Sequence, residues 1–152
     1  MAARVPDMEI NGLPLHPLVV HAAVVFGSLA AVGALAYVAV PGRRATLRWP
    51  MVGLALVGVA SLVAAYYTGR SFFDSRPPEI QANPQVLTHE RLARQLFWIA
   101  LGFGLVALAA GWLSRRTGAV RVVLDVVLAA GAVAVLVWVV RTGDAGARAV
   151  WG

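Results

Sequence analysis

The sequence contains no cysteine and no lysine, and charged residues make up only 13% of its 152 positions. Without cysteine the chain forms no disulfide and offers no thiolate to a metal or a substrate. A chain with 60% hydrophobic residues and so few charges has more apolar surface than a soluble domain of this size can bury. The composition therefore predicts an integral membrane protein, in which any metal is held by nitrogen and oxygen ligands.

All 13 basic residues are arginine, and the formal net charge is +6. No segment combines arginine with aromatic residues in a polar patch, so the sequence argues against a nucleic-acid partner. Many of the arginines lie in short loops between apolar runs, a position typical of topology signals and of contact with lipid headgroups. The lipid bilayer is the predicted environment.

Four apolar runs reach the length needed to cross a hydrocarbon core about 30 Å thick. Proline or glycine follows each run and is suited to ending a helix there. The sequence predicts one all-α domain over residues 1–152, an integral membrane four-helix bundle. Its transmembrane helices are expected at residues 17–40, 50–68, 84–113 and 120–140.

A weak internal repeat predicts that the bundle consists of two helical hairpins. Thr-Gly pairs at residues 68–69 and 142–143 end the second and fourth predicted helices, while the first and third each begin with a histidine segment. A pseudo-twofold axis along the membrane normal relates such hairpins. It would bring His21 and His89 to equivalent positions across the bundle.

Local signals add detail to this bundle. Asn83 is a predicted N-cap, with Pro84 at the first helical position. Counting from His89 in steps of three and four residues gives a stripe of small residues, which predicts the packed face of the third helix with His89 pointing inward. Arg121 and Asp125 form a predicted i,i+4 ion pair in the fourth helix.

The distribution of arginine predicts the orientation. The first and third loops are short, dense in arginine and free of acidic residues, which favours the cytoplasmic side. The other arginines are spread over both termini and the long second loop, together with acidic residues. We therefore expect a multi-pass protein with both termini on the extracytoplasmic side.

The three histidines are the residues that indicate a site. His16, His21 and His89 lie where predicted helices begin, all at the same membrane face. Imidazole is costly to bury in hydrocarbon without a partner, so three of them at one depth predict a functional site. His16 and His21 are five residues apart, and both reach one centre only if His16 lies outside regular helix.

Two cofactor hypotheses remain open. In the first, His21 and His89 bind a b-type haem between the first and third helices, for electron transfer. In the second, His16, His21 and His89, with Glu90 or Asp144, bind a transition-metal ion such as zinc, copper or iron.

A third hypothesis needs no cofactor, because the histidines then make ordinary hydrogen bonds. The chain would be an accessory or scaffold subunit of a larger membrane complex. The expected partners are a redox protein, a larger membrane complex or a second copy of the chain. No phosphate-binding loop and no nucleophile–base pair with usable spacing is present, so the sequence indicates no catalytic activity of its own.

Three motifs resemble those of a known family. They read Leu-His-Pro-x-x-Val-His from residue 15, His-Glu-x-Leu-Ala from residue 89 and Thr-Gly-x-x-Gly-x-x-x-Val-Trp from residue 142. Over nearly its whole length the chain is similar to small bacterial membrane proteins called domain of unknown function 2231.

This resemblance implies four transmembrane helices in a bacterial inner membrane, with the characteristic histidines at His16, His21 and His89. Some relatives are fused to a Rieske iron–sulfur domain, which implies a place near redox chemistry. Asp144 stands where many relatives carry a further histidine, and this departure weakens a four-histidine scheme.

Overall fold

The computed structural model describes residues 9–152 and consists almost entirely of helix. The first eight residues of the predicted domain lie outside the described residues. Two short strands pair antiparallel before the first helix. The elements are β1 (Glu9–Ile10), β2 (Leu13–Pro14), α1 (Leu15–Ala39), a 3₁₀ turn (Pro41–Arg43), α2 (Arg44–Asp74), α3 (Pro78–Gln81), α4 (Pro84–Trp112) and α5 (Ala119–Trp151).

The predicted all-α membrane bundle is confirmed. Four helices, α1, α2, α4 and α5, are long and apolar enough to cross a bilayer. Many large apolar side chains remain on the outside of the bundle, including Trp98, Leu105 and Trp112. Lipid chains solvate such side chains as well as a protein core does, so this surface fits a membrane and not water.

Most helix boundaries follow the local signals. α1 ends just before Pro41, and Gly118, with φ of +70°, precedes α5. The side chain of Asn83 accepts a hydrogen bond of 2.8 Å from the backbone N–H of Gln85, and Pro84 is the first residue of α4. The predicted N-cap is therefore confirmed.

Two predicted helix ends are wrong. α2 begins at Arg44, passes through Pro50 and continues beyond Gly69 to Asp74, and α5 continues beyond Gly143 to its end at Trp151. A glycine inside a helix costs only about 1 kcal/mol relative to alanine, so packing against a neighbouring helix can override it. The C-terminal motif therefore belongs to α5 and does not form a separate tail.

The four long helices form two hairpins, because α1 packs along α2 and α4 packs along α5. Between the hairpins, α1 contacts α5 and α2 contacts α4. One end of the bundle holds the starts of α1 and α4 and the ends of α2 and α5; we call it the histidine end. The opposite end holds the loops α1–α2 and α4–α5, and we call it the arginine end. The predicted two-hairpin arrangement is confirmed.

Small residues form most of the core. Ala31, Ala34, Ala100, Ala107 and Ala132 are completely buried. Ala100 and Ala107, the two members of this group on α4, belong to the stripe of small residues counted from His89. The predicted packed face of α4 is therefore confirmed. Lipid supplies no hydrophobic force that drives helices together, and close backbone approach through small residues takes its place.

A polar network joins the helices at the arginine end. The buried hydroxyl of Tyr37 donates to the carbonyl oxygen of Ala110 at 3.2 Å and accepts from Nη1 of Arg121 at 3.1 Å. Arg121 also pairs with Asp125 at 3.0 Å, which confirms the predicted i,i+4 ion pair. Arg44 of α2 contacts the same carboxylate at 2.6 Å. The network therefore connects α1, α2, α4 and α5.

A close approach of α1 to α2 at Gly58 gives a test of this packing. A Cβ added to Gly58 would lie 2.7 Å from both the Cβ of Ala30 and the carbonyl oxygen of Phe26. We expect Gly58→Ala to lower the free energy of unfolding by about 1–3 kcal/mol, because the two backbones must separate. Thermal unfolding in detergent measures the change.

Gly53 is the matched control in the same helix, since a Cβ there meets nothing within 4 Å. Gly53→Ala should leave stability unchanged or raise it by up to about 1 kcal/mol. Equal effects of the two substitutions would contradict the close contact between α1 and α2.

Candidate functional site

A cavity of about 70 Å³ lies at the histidine end, where all four long helices contribute to its wall. His16 of α1 and His89 of α4 both line it. The remaining wall is almost entirely apolar, and it includes the rings of Tyr66 and Phe97, whose centroids are 4.5 Å apart. Two imidazoles from different hairpins therefore share one small apolar cavity.

The hydrogen bonds around His16 favour one tautomer. Its Nδ1 lies 3.3 Å from Oγ1 of Thr68. The hydroxyl of Thr68 also lies 2.9 Å from the carbonyl oxygen of Ala64, an acceptor for its proton. With the proton directed there, Oγ1 accepts from Nδ1 of His16, and in the neutral ring the lone pair is on Nε2.

His89 is held in the same way by the second hairpin. Its Nδ1 lies 3.0 Å from the carbonyl oxygen of Thr142, which can only accept. The proton is therefore on Nδ1 and the lone pair on Nε2 in this ring as well. Both imidazoles therefore have Nδ1 held by the partner helix of their own hairpin.

Glycine allows each ring to lie against the backbone of its neighbouring helix. A Cβ on Gly69 would come within 2.9 Å of Cε1 of His16, and a Cβ on Gly146 would come within 3.0 Å of Cε1 of His89. From the sequence alone, Gly69 predicts only a helix end. The Thr68-Gly69 pair in the sequence could have indicated this contact, but only the packed structure shows that the glycine lies against the His16 ring.

One further polar group near the cavity has no partner. Thr142 lines the cavity and is only 9% exposed, and its hydroxyl oxygen is buried with no hydrogen-bond partner within residues 9–152. A buried hydroxyl left unpaired costs about 1–3 kcal/mol.

His21 does not lie opposite His89, and that expectation is wrong. His21 is exposed, and its Nδ1 lies 2.7 Å from the carbonyl oxygen of Pro17 in its own helix. Because α1 begins at Leu15, His16 is already helical, and a residue five positions later lies roughly 140° around the helix. His16, and not His21, is therefore the counterpart of His89.

The predicted carboxylate ligands also lie away from the cavity wall. Asp144 is exposed and pairs with Arg148 at 3.0 Å, because two residues after Thr142 the chain has turned roughly 200° around α5. Glu90 is half-buried on α4 next to His89, but does not line the cavity.

No three histidine, cysteine, aspartate or glutamate side chains form a metal-binding group within the part of the chain that the structure describes. The five donors expected from the sequence, His16, His21, His89, Glu90 and Asp144, therefore do not form one cluster. The structure brings together two of them, His16 and His89.

A family model described as "Predicted membrane protein (DUF2231)" matches residues 12–152. The chain belongs to the DUF2231 family. The match covers all four long helices and both histidines of the cavity, and it confirms the resemblance noted in the three motifs. No curated protein and no solved structure matches this DUF2231 chain.

The contact between glycine and imidazole can be tested in α5. We expect Gly146→Ala to shift the ring of His89 and to weaken its hydrogen bond to Thr142, because the new Cβ would lie 3.0 Å from Cε1 and 3.1 Å from Nδ1 of the ring. The Cε1–H signal of His89 in the NMR spectrum should move, and the free energy of unfolding should fall by about 1–3 kcal/mol.

Gly143→Ala is the matched substitution one turn earlier, since a Cβ there meets nothing within 4 Å. It should leave the His89 signal in place. If the signal is unchanged in both variants, the ring does not lie against Gly146.

Proposed function

We propose that this DUF2231 protein binds a transition-metal ion through Nε2 of His16 and Nε2 of His89. One observation supports the proposal above the others: both imidazoles line the same cavity while their Nδ1 protons are engaged elsewhere. Histidines that ligate metals usually donate their second ring N–H to a carbonyl or another oxygen, which fixes the tautomer and the ring orientation. His16 and His89 each have this arrangement.

The donor set limits which ion is suitable. Imidazole nitrogen suits zinc, copper, iron and nickel, and the cavity wall adds neither thiolate nor carboxylate. Copper or iron would allow electron transfer, which agrees with the fusion of some relatives to Rieske domains, whereas zinc has no redox chemistry.

The cavity does not fit a haem. Pockets for ligands of cofactor size measure about 300–1,000 Å³, whereas this cavity is about 70 Å³. A macrocycle between His16 and His89 would require the two hairpins to separate, and His21, the other expected haem ligand, is exposed. The available space suits an ion with a few water molecules.

We further propose that the histidine end faces the extracytoplasmic side of a bacterial inner membrane. Short cytoplasmic loops are enriched in arginine. The arginine end carries six arginines in and beside its two short loops, at residues 43, 44, 48, 115, 116 and 121. The proposed metal site and both chain termini would then lie on the opposite side from these loops.

The metal content of the detergent-extracted protein tests the proposal. We expect about one ion per chain in the wild type, and at least a tenfold lower occupancy in His16→Ala and in His89→Ala, because each variant removes one of two protein ligands. Mass spectrometry of the metal and the optical spectrum of the same samples give the occupancy and the type of centre.

His21→Ala is the matched control, since it removes an imidazole from the same helix but from its exposed side. It should keep the wild-type occupancy. Equal metal content in all four proteins would refute the site, and so would a Soret band, which would indicate haem. Absence of any metal from all four proteins would leave an accessory or scaffold subunit as the function.

A further inference from the structure

Basic side chains outnumber acidic ones in the polar network at the arginine end. Asp125 is the single carboxylate there among residues 9–152, and it already contacts Arg44 at 2.6 Å and Arg121 at 3.0 Å. The other acidic positions in this range lie at the histidine end, at residues 9, 74, 79, 90 and 144. The carboxylate of Asp125 is therefore shared by the guanidinium groups of Arg44 and Arg121.

Arg48 adds a third guanidinium beside this network, and among the described residues it forms no ion pair with a carboxylate. Its Nη1 donates to Oγ of Ser114 at 3.0 Å, and its guanidinium carbon lies 4.5 Å from the centre of the Trp49 ring. Arg44 and Arg48 are i,i+4 neighbours on one face of α2, where like charges repel. The cluster of Arg44, Arg48, Arg121 and Asp125 has a formal charge of +2.

Two N–H groups of this cluster donate no hydrogen bond to any described residue. The Nε atoms of Arg44 and Arg48 are both buried, and neither has a hydrogen-bond partner among the described residues. A buried charged donor without a partner is more costly than a neutral one. Both atoms belong to planar guanidinium groups, which match the oxygens of a phosphate in pairs.

The position of Arg44 and Arg48 adds a second reason to expect an anion. They lie in the first two turns of α2, and no acidic residue is present in its first turn. The N-terminus of a helix carries a partial positive charge, so basic side chains are unfavourable there and an anion is favourable. The neighbouring Trp49 is exposed, as aromatic residues are at the level of the lipid headgroups.

We propose that Arg44 and Arg48 bind the phosphate group of an anionic phospholipid at the arginine end of the bundle. Arg121 acts indirectly, because it shares Asp125 with Arg44 and so positions that side chain. The lipid phosphate lies against the guanidinium groups of Arg44 and Arg48 and neutralises part of their surplus charge. This site is separate from the histidine cavity and does not depend on a metal there.

Lipid titration of the delipidated 152-residue chain in detergent tests the site. Phosphatidylglycerol should raise the thermal unfolding midpoint at a concentration at least tenfold lower than phosphatidylcholine, whose choline group cancels the phosphate charge. Arg48→Gln should weaken the response to phosphatidylglycerol about fivefold, the effect of one arginine at a charged lipid surface. Arg48→Lys keeps the charge but loses the planar fork, so its response should be weakened to a lesser degree.

Arg116→Gln is the matched control, because it removes the same charge at the same end from an exposed position outside the cluster. It should respond to phosphatidylglycerol as the wild type does. Equal weakening in Arg48→Gln and Arg116→Gln would indicate a diffuse surface charge and overturn the site. If inorganic phosphate raises the midpoint at the same concentration as phosphatidylglycerol, the assignment to a lipid is overturned.

Discussion

The hydrogen bonds from imidazole Nδ1 to a threonine of the neighbouring helix are the interactions on which the histidine end depends. A bilayer supplies no hydrogen-bonding solvent, so a polar group at depth must find its partner inside the protein. His16 meets Thr68 and His89 meets Thr142, each within one hairpin. These bonds orient both rings towards one cavity, and the glycine beneath each ring makes the required close approach sterically possible.

The two ends of the bundle satisfy their polar groups in different ways. At the histidine end, each imidazole bonds through Nδ1 to an oxygen of its own hairpin. At the arginine end, Tyr37, Arg121 and Asp125 form a charged network that crosses between the hairpins. Between the ends the core is built mainly from alanine and other apolar residues, so the hairpins pack closely but without polar contacts that would fix their register. The charged network therefore contributes more to the docking of the hairpins than the histidines do.

The sequence was sufficient for features that depend on local spacing. The Asn83 cap and the Arg121–Asp125 pair follow from residues within about one turn of each other. Helix number follows from the length of continuous apolar runs. The site depends on pairs such as His16 with Thr68, which are 52 positions apart and meet only through packing. Glycine was ambiguous for the same reason: at Gly118 it ends a connection, whereas at Gly69 it accommodates a ring.

The angular positions of residues around each helix explain why His16 and His89 lie at one cavity, whereas the five predicted ligands do not form one cluster. Once α1 is helical from Leu15, His16 and His21 cannot face the same point, and once α5 is helical through Thr142, Asp144 is carried to the exposed side. An ion bound by His16 and His89, as proposed, would keep coordination positions for water or an incoming ligand. Structural zinc sites, by contrast, are closed by four protein ligands. The proposed two-histidine site would thus be suited to exchange of ligands or electrons, and would contribute little to holding the helices together.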